Sequence, residues 1–138
     1  MKKTGILNAE LMKEIAALGH MDLFLIGDAG MPIPKGIKII DLALCKGIPS
    51  FEQVLDAVLK ETEIEYYYIA EEICENNQRL FSFIRTTMPK VESEMLPHHD
   101  LKMMTEKCKF AIRTGEFSPY PNLVLRAGVT FSSSGGSE

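Results

Sequence analysis

Short apolar runs alternate along the chain with segments in which apolar residues recur at every third or fourth position. The recurring positions predict amphipathic helices, since about 3.6 residues make one helical turn. Their ranges are 8–18, 50–61, 71–88 and 100–107. The range 71–88 forms either one helix or two helices broken near 76–77. The apolar, β-branched and aromatic runs predict strands at 23–26, 37–44, 64–70, 110–113 and 123–125, with a further short strand ending over 94–97. This alternation favours a three-layer α/β/α sandwich with a mostly parallel, mixed central sheet.

Residues with strong conformational preferences mark several boundaries. Asn8 and Ser50 can cap the first two helices with their side-chain oxygens, and Gly19 is placed to end the first one. The segment 31–36 contains two prolines and predicts an ordered loop. We expect one domain over residues 1–131. The final segment 132–138, S-S-S-G-G-S-E, is expected to be a flexible tail or a cloning remnant.

The composition is typical of a soluble globular protein, with 46% apolar and 25% charged residues. The net charge of −4 and the lack of a basic stripe disfavour nucleic-acid binding. Polar residues interrupt the start of the chain and no apolar run of about 18 residues follows, so we expect neither a signal peptide nor a membrane span, and a cytoplasmic location. Cys45, Cys74 and Cys108 are odd in number and widely spaced, which favours reduced thiols over disulfides or a metal site.

Polar side chains follow four of the predicted strands at the point where each strand ends. They are Asp28, the pair Glu-Glu at 71–72, His-His-Asp at 98–100 and Thr-Gly-Glu at 114–116. In open α/β sheets ligands bind beyond the carboxyl ends of the strands, so these groups form one site if they share that end. The segment 27–30, G-D-A-G, lacks the glycine spacing of a dinucleotide-binding turn, and no P-loop pattern occurs. We therefore expect a small, polar, unphosphorylated substrate.

The three histidines offer acid–base or ligand chemistry, and each has a structural alternative. His20 follows a helix C-terminus, whose partial negative charge favours the imidazolium form of a proton donor, but a histidine there can also serve only as a helix cap. His98 and His99 are adjacent, so in an extended segment they point in opposite directions and share one metal ion only with difficulty. We expect no metal, although a metal-dependent hydrolase that uses histidine with Asp28 is a rival interpretation.

Three other groups of residues are also open to more than one interpretation. Glu71 and Glu72 are either a general base pair or partners of a helix dipole. Arg113 can anchor an anion or pair with a neighbouring carboxylate. In the segment 117–122, F-S-P-Y-P-N, two prolines hold a phenol and an amide in a stiff frame. Such a frame suits a polyhydroxylated ligand, or it is a turn before a strand.

Six segments match, in order, the motifs of a known family. They read M-K-K-x-G-I-L-N at 1–8, L-G-H-x-D at 18–22, D-A-G-x-P-I-P at 28–34, I-D-L-A-L at 40–44, A-E-E-I at 70–73 and I-R-T-G-E-F-S-P-Y-x-N at 112–122. Over residues 1–131 the chain resembles the RbsD/FucU family of sugar mutarotases. Pro121 departs from the family, which has a small residue there, and Cys45-Lys46-Gly47 stands where the family tends to have Lys-Pro-Gly.

The resemblance implies an isomerase that interconverts β-D-ribopyranose and β-D-ribofuranose by cofactor-free general acid–base ring opening and reclosure, and so supplies ribokinase. It implies that His20 is the proton donor, that Asp28 lies close to it, and that the sugar is bound by Asp28, His98, Lys102, Tyr120 and Asn122. It further implies a homodecamer of two pentameric rings with sites at subunit interfaces. The alternatives are a fucose-type mutarotase, which the Tyr120-x-Asn122 pattern disfavours, and a non-catalytic sugar-binding transport accessory.

Overall fold

The computed structural model describes residues 1–131, and the predicted tail at 132–138 lies outside the described residues. The elements in chain order are α1 (Ala9–Ala16), β1 (Leu23–Gly27), β2 (Lys38–Asp41), α2 (Phe51–Leu59), β3 (Ile64–Ala70), α3 (Ile73–Asn76), α4 (Gln78–Thr87), β4 (Glu92–Leu96), α5 (His98–Met104), a 3₁₀ turn (Thr105–Lys107), β5 (Phe110–Arg113) and β6 (Leu123–Ala127). No helix within residues 1–131 is long and apolar enough to cross a bilayer.

The six strands form one sheet in the order β2-β5-β1-β6-β3-β4. β6 pairs antiparallel with both β1 and β3, whereas the other strand pairs are parallel. The mostly parallel, mixed sheet predicted from the sequence is confirmed. Because β6 runs against its neighbours β1 and β3, its first residue lies at the same end of the sheet as the last residues of the other five strands. We call this end of the sheet the carboxyl end and the opposite end the amino end.

Alternate residues of the central strands pack into two different cores, one on each face of the sheet. Phe24 and Ile26 of β1 belong to the larger core, which also contains apolar residues of α1, α2 and α4. Leu25 faces the smaller core, where Leu101 of α5 packs. Each of these side chains contributes roughly 1.5–3 kcal/mol when it leaves water. The central strands are thus covered on both faces, which gives the predicted three layers.

The side-chain caps and helix break predicted from the sequence are present. Asn8 accepts a hydrogen bond from the Leu11 backbone N–H, and Ser50 forms a capping box with Gln53. The predicted helical segment 71–88 is two helices that meet at Asn77. The predicted strand 37–44 covers only Lys38–Asp41, because the following residues turn back through a bridge between Cys45 and Ile48. The predicted helix 100–107 begins earlier, at His98.

Candidate active site

Asp28 and Asn122 form a hydrogen-bonded pair at the carboxyl end of the sheet. Asp28 follows β1 and Asn122 precedes β6, so the antiparallel pairing of these strands brings them together. The Asn122 amide donates to Asp28 Oδ2 at 3.0 Å, and its oxygen accepts from the Asp28 backbone N–H at 2.9 Å. The Gly30 N–H donates to Asp28 Oδ1 at 2.8 Å. Asn122 is only 1% exposed, so this network holds the Asp28 carboxylate in a fixed position.

Tyr120 and His98 lie next to each other at the same end of the sheet. Tyr120 has a positive φ of 64°, which is uncommon for a residue with a side chain, and it stands between two prolines. Its ring meets the His98 ring edge-on, with centroids 5.1 Å apart. The His98 backbone N–H donates to Glu72 Oε1 at 2.9 Å, which fixes the start of α5. Glu72 therefore serves to position the start of this short helix.

The surroundings of His98 favour its uncharged ring. Burial lowers the pKa of His98, and the Lys102 ammonium one turn later on α5 lowers it further, while the Glu72 and Asp28 carboxylates oppose the shift. Among the described residues, the buried Nδ1 of His98 has no hydrogen-bond partner. At neutral pH the ring is therefore uncharged.

The depressed pKa of His98 predicts a stability loss on the acid side. Below the ordinary histidine pKa of about 6.5 the unfolded chain binds a proton that folded His98 resists, so the free energy of unfolding falls as the pH falls. His98→Gln, which cannot titrate, should lose less stability than the native protein between about pH 7 and about pH 5.5. Urea denaturation at both pH values measures this, with His99→Gln of the exposed neighbour as control. An equal loss in His98→Gln and the native protein would contradict the prediction.

A cavity of about 440 Å³ opens beside Asp28. Its lining consists of Asp28, Ala29, Gly30, Arg113, Glu116, Phe117, Ser118 and Pro119. Arg113 is held by Asp41 at 3.0 Å and by the Ala29 carbonyl, so of the two interpretations of Arg113 the neighbouring carboxylate is correct. Lys102 lies apart from this cavity, in a groove of about 330 Å³ that it shares with His99.

Other residues predicted near the site have structural partners. The Thr114 hydroxyl donates to the Gly27 carbonyl at 2.8 Å. Glu116 accepts from the Phe51 backbone N–H at 2.9 Å and from the Ser118 hydroxyl at 2.6 Å. Burial favours the neutral Glu116 carboxyl, but these hydrogen bonds outweigh it and leave the pKa of Glu116 below its usual range. Thr114 and Glu116 thus shape the loop that leads to Tyr120.

His20 lies at the opposite, amino end of the sheet. Its Nε2 is 2.8 Å from Glu65 Oε1. His20 also borders a second cavity, of about 520 Å³. Helix α1 ends at Ala16, so His20 is not its cap. The five residues of β1 lie between His20 and Asp28 in the chain. At about 3.3 Å per residue, the strand spans roughly 16 Å. The expectation that Asp28 lies close to His20 is therefore wrong within one chain, because the two residues flank opposite ends of the same strand.

The residues 1–131 contain no group of three or more histidine, cysteine, aspartate or glutamate side chains placed to hold a metal ion. The three cysteines are free, and burial raises the pKa of Cys108 to about 12, which makes its thiol unreactive. The polar groups described at the carboxyl end are the Asp28 carboxylate, the Asn122 amide, the Tyr120 phenol and the His98 imidazole.

Comparison with known proteins identifies the class to which this fold and site belong. The sequence model of the RbsD / FucU transport protein family matches residues 1–130. The chain belongs to this family.

Three known proteins show how similar the chain is to particular sequences and structures. The D-ribose pyranase of Limosilactobacillus fermentum is 50% identical over 131 residues, which cover 95% of this chain and 100% of that protein. The solved structure of Bacillus subtilis RbsD complexed with D-ribose has a TM-score of 0.92 and 44% identity, covering 95% of this chain and 100% of the other. A fucose mutarotase from Streptococcus pneumoniae in complex with L-fucose shares the fold, with a TM-score of 0.77 and 20% identity over 91% of this chain and 95% of the other.

Proposed function

We propose that the chain is an isomerase that interconverts β-D-ribopyranose and β-D-ribofuranose without a cofactor. The observation that carries the proposal is the 50% identity over 131 residues to a curated D-ribose pyranase. The bound sugar of the Bacillus subtilis RbsD structure, D-ribose, supports the choice of substrate. In the cytoplasm, the furanose product supplies a sugar kinase of the ribokinase type.

The reaction needs proton transfers and no redox or group-transfer chemistry. An acid gives a proton to the ring oxygen, the bond between that oxygen and the anomeric carbon breaks, and the anomeric hydroxyl loses its proton to a base as the aldehyde forms. The hydroxyl on carbon 4 then attacks the aldehyde carbon, and the transfers run in reverse. Positioned acid and base groups contribute roughly 10²–10⁴-fold to such a step. Imidazole and carboxylate groups are suited to both roles.

The groups at the carboxyl end are proposed to hold the sugar. The Asp28 carboxylate, fixed by Asn122, accepts hydrogen bonds from sugar hydroxyls and is available as the base. The uncharged ring of His98 and the phenol of Tyr120 supply further polar contacts beside an aromatic surface. Lys102, four residues after His98 on α5, is proposed to contact the sugar as well, from the neighbouring groove that it shares with His99.

The proposed proton donor, His20, has to come from a second copy of the chain. Since His20 and Asp28 lie at opposite ends of the sheet, a site that contains both forms where the amino end of one chain meets the carboxyl end of another. Such a contact joins two different surfaces, and repeated contacts of this kind close into a ring when the rotation allows it. This supports an assembly of rings, for which we propose the homodecamer of two pentamers.

The surfaces at the two ends suit such a contact. Exposed apolar side chains lie beside the Asp28 cavity, where Leu44 is 79% and Phe117 64% exposed, and near His20, where Met21 is 60% and Phe131 61% exposed. Lys46 lies over the Phe117 ring at the carboxyl end, and acidic residues line the His20 cavity at the amino end. Apolar patches of this kind mark interaction surfaces, and opposite charges favour their pairing.

Saturation-transfer NMR on D-ribose tests the proposed activity. At catalytic concentration the enzyme should accelerate exchange between pyranose and furanose signals, whereas a sugar-binding transport accessory would only broaden or shift them. L-fucose is the matched substrate control, and we expect slower turnover with it. No acceleration with either sugar would exclude a mutarotase. Sedimentation equilibrium of the same sample measures the assembly.

A further inference from the structure

The carboxylate of Glu65 links His20 to Arg126 across the amino end of the sheet. Glu65 is the second residue of β3, and Arg126 lies on the neighbouring strand β6. Glu65 Oε1 is 2.8 Å from His20 Nε2, and Glu65 Oε2 accepts from Arg126 Nε at 2.6 Å. Arg126 in turn packs over the Tyr66 ring at 4.7 Å. Each oxygen of Glu65 thus has its own partner, and the orientation of the carboxylate is fixed.

This arrangement determines which ring nitrogen of His20 carries a proton. An ionised carboxylate can only accept hydrogen bonds, so Nε2 of His20 must be the donor. Nε2 then stays protonated in both the neutral and the charged ring, and Nδ1 is the atom that gains and loses the proton. The structure assigns Glu65 the role of a positioning residue that selects the Nε2–H tautomer of His20 and leaves Nδ1 to deliver the proton to the sugar. This inference rests on the proposed function, in which His20 is the acid.

The charges around His20 are consistent with this role. Burial favours the neutral Glu65 carboxyl, but the hydrogen bonds from His20 and Arg126 outweigh it and keep the pKa of Glu65 below its usual value. Glu65 therefore stays ionised throughout the neutral range. Other charged groups on this side include Glu61 and Glu63, which line the cavity, and Asp22, which accepts from the Gly19 N–H and lies 3.9 Å from Lys109.

Glu65→Gln tests the assignment because it keeps the shape of the side chain and reverses one hydrogen bond. Arg126 can only donate, so it takes the single amide oxygen of the glutamine, and the amide NH₂ then faces His20 Nε2. Nε2 must accept, and the ring proton moves to Nδ1. A histidine held in the wrong tautomer loses most of its acid–base function. We expect kcat to fall by about 10²-fold or more while KM changes by less than about threefold.

Long-range ¹H–¹⁵N NMR of the histidine rings reads the tautomer directly, at a pH where the ring is neutral. The chain has three histidines, so the loss of one set of signals in His20→Ala assigns that ring. The native protein should show Nε2–H at His20 and Glu65→Gln should show Nδ1–H. Glu75→Gln is the matched control, since it removes the same charge from an exposed residue of α3 that lines neither cavity, and it should change neither the tautomer nor kcat.

Two results would overturn the inference: a native His20 that carries its proton on Nδ1, or a Glu65→Gln protein with unchanged tautomer or near-native kcat. The spectrum of the native protein is sufficient for the first result even if Glu65→Gln does not fold. If the native protein shows no ribose exchange, the proposed function fails, and the NMR comparison still decides whether Glu65 sets the tautomer.

Discussion

Subunits that carry His20→Ala and subunits that carry Asp28→Asn should each be nearly inactive alone and should regain activity when they are mixed and reassembled. Removal of one general acid slows ring exchange by about 10²-fold or more, and loss of the Asp28 carboxylate slows it by removing a sugar contact. If each site takes His20 from one chain and Asp28 from its neighbour, equal random mixing leaves about one quarter of the sites with both native residues. The pyranose–furanose exchange rate of the mixture should therefore reach about one quarter of the native rate.

The control for this experiment is a mixture of His20→Ala subunits with subunits that carry both substitutions. No site in that mixture has a native His20, so its rate should stay at the level of His20→Ala alone. Recovery in the first mixture and not in the second would support a shared site. A first mixture that stays inactive although sedimentation shows mixed assemblies would contradict it.

Asn122→Asp should destabilise the protein strongly at neutral pH and only weakly in acid. The amide that donates to Asp28 Oδ2 at 3.0 Å would become a second carboxylate, in a position that is 1% exposed. Two like charges at this distance, one of them in a buried position, force one carboxyl to keep its proton. The pKa of the new aspartate is then higher in the folded chain than in the unfolded chain, so the stability deficit grows as the pH rises through that range. We expect a loss of about 2–4 kcal/mol at about pH 7.

Urea denaturation of the native and Asn122→Asp proteins at about pH 5 and about pH 8 measures this effect. The exchanged pair Asp28→Asn with Asn122→Asp is the matched control, because it restores one carboxylate and one amide and should recover most of the stability. Equal deficits at the two pH values, or an exchanged pair as unstable as the single variant, would show that charge repulsion is not the cause.

Local patterns predicted much of the fold because they reflect contacts between residues close in sequence. The cap at Asn8 involves Leu11, and the capping box at Ser50 involves Gln53, both within three residues. The position of β6 in the sheet cannot be predicted from such local patterns. Nothing in its apolar run indicates that it pairs antiparallel between β1 and β3, since that choice depends on the packing of the whole sheet.

The candidate site was predictable in part for the same reason. The rule that ligands bind beyond strand ends selected Asp28 and His98 from the sequence, and the structure places both at the carboxyl end. The partner of His20 was not predictable, because Glu65 is 45 residues away and meets His20 only through the arrangement of the strands. Both the family resemblance and the sequence motifs named His20 and Asp28, but only the structure shows that one chain holds them apart.

β6, the last strand within the described residues 1–131, is also a central strand of the sheet. β6 joins the strands β2, β5 and β1 on one side to β3 and β4 on the other. While the chain is being made, the two groups of strands have no partner along these inner edges, and apolar residues such as Leu25 and Ile69 lack their final packing. Unpaired strand edges favour association with other chains. Until the residues around 122–127 emerge from the ribosome, the nascent sheet therefore lacks its central strand, and their emergence completes both the sheet and the Asp28–Asn122 pair.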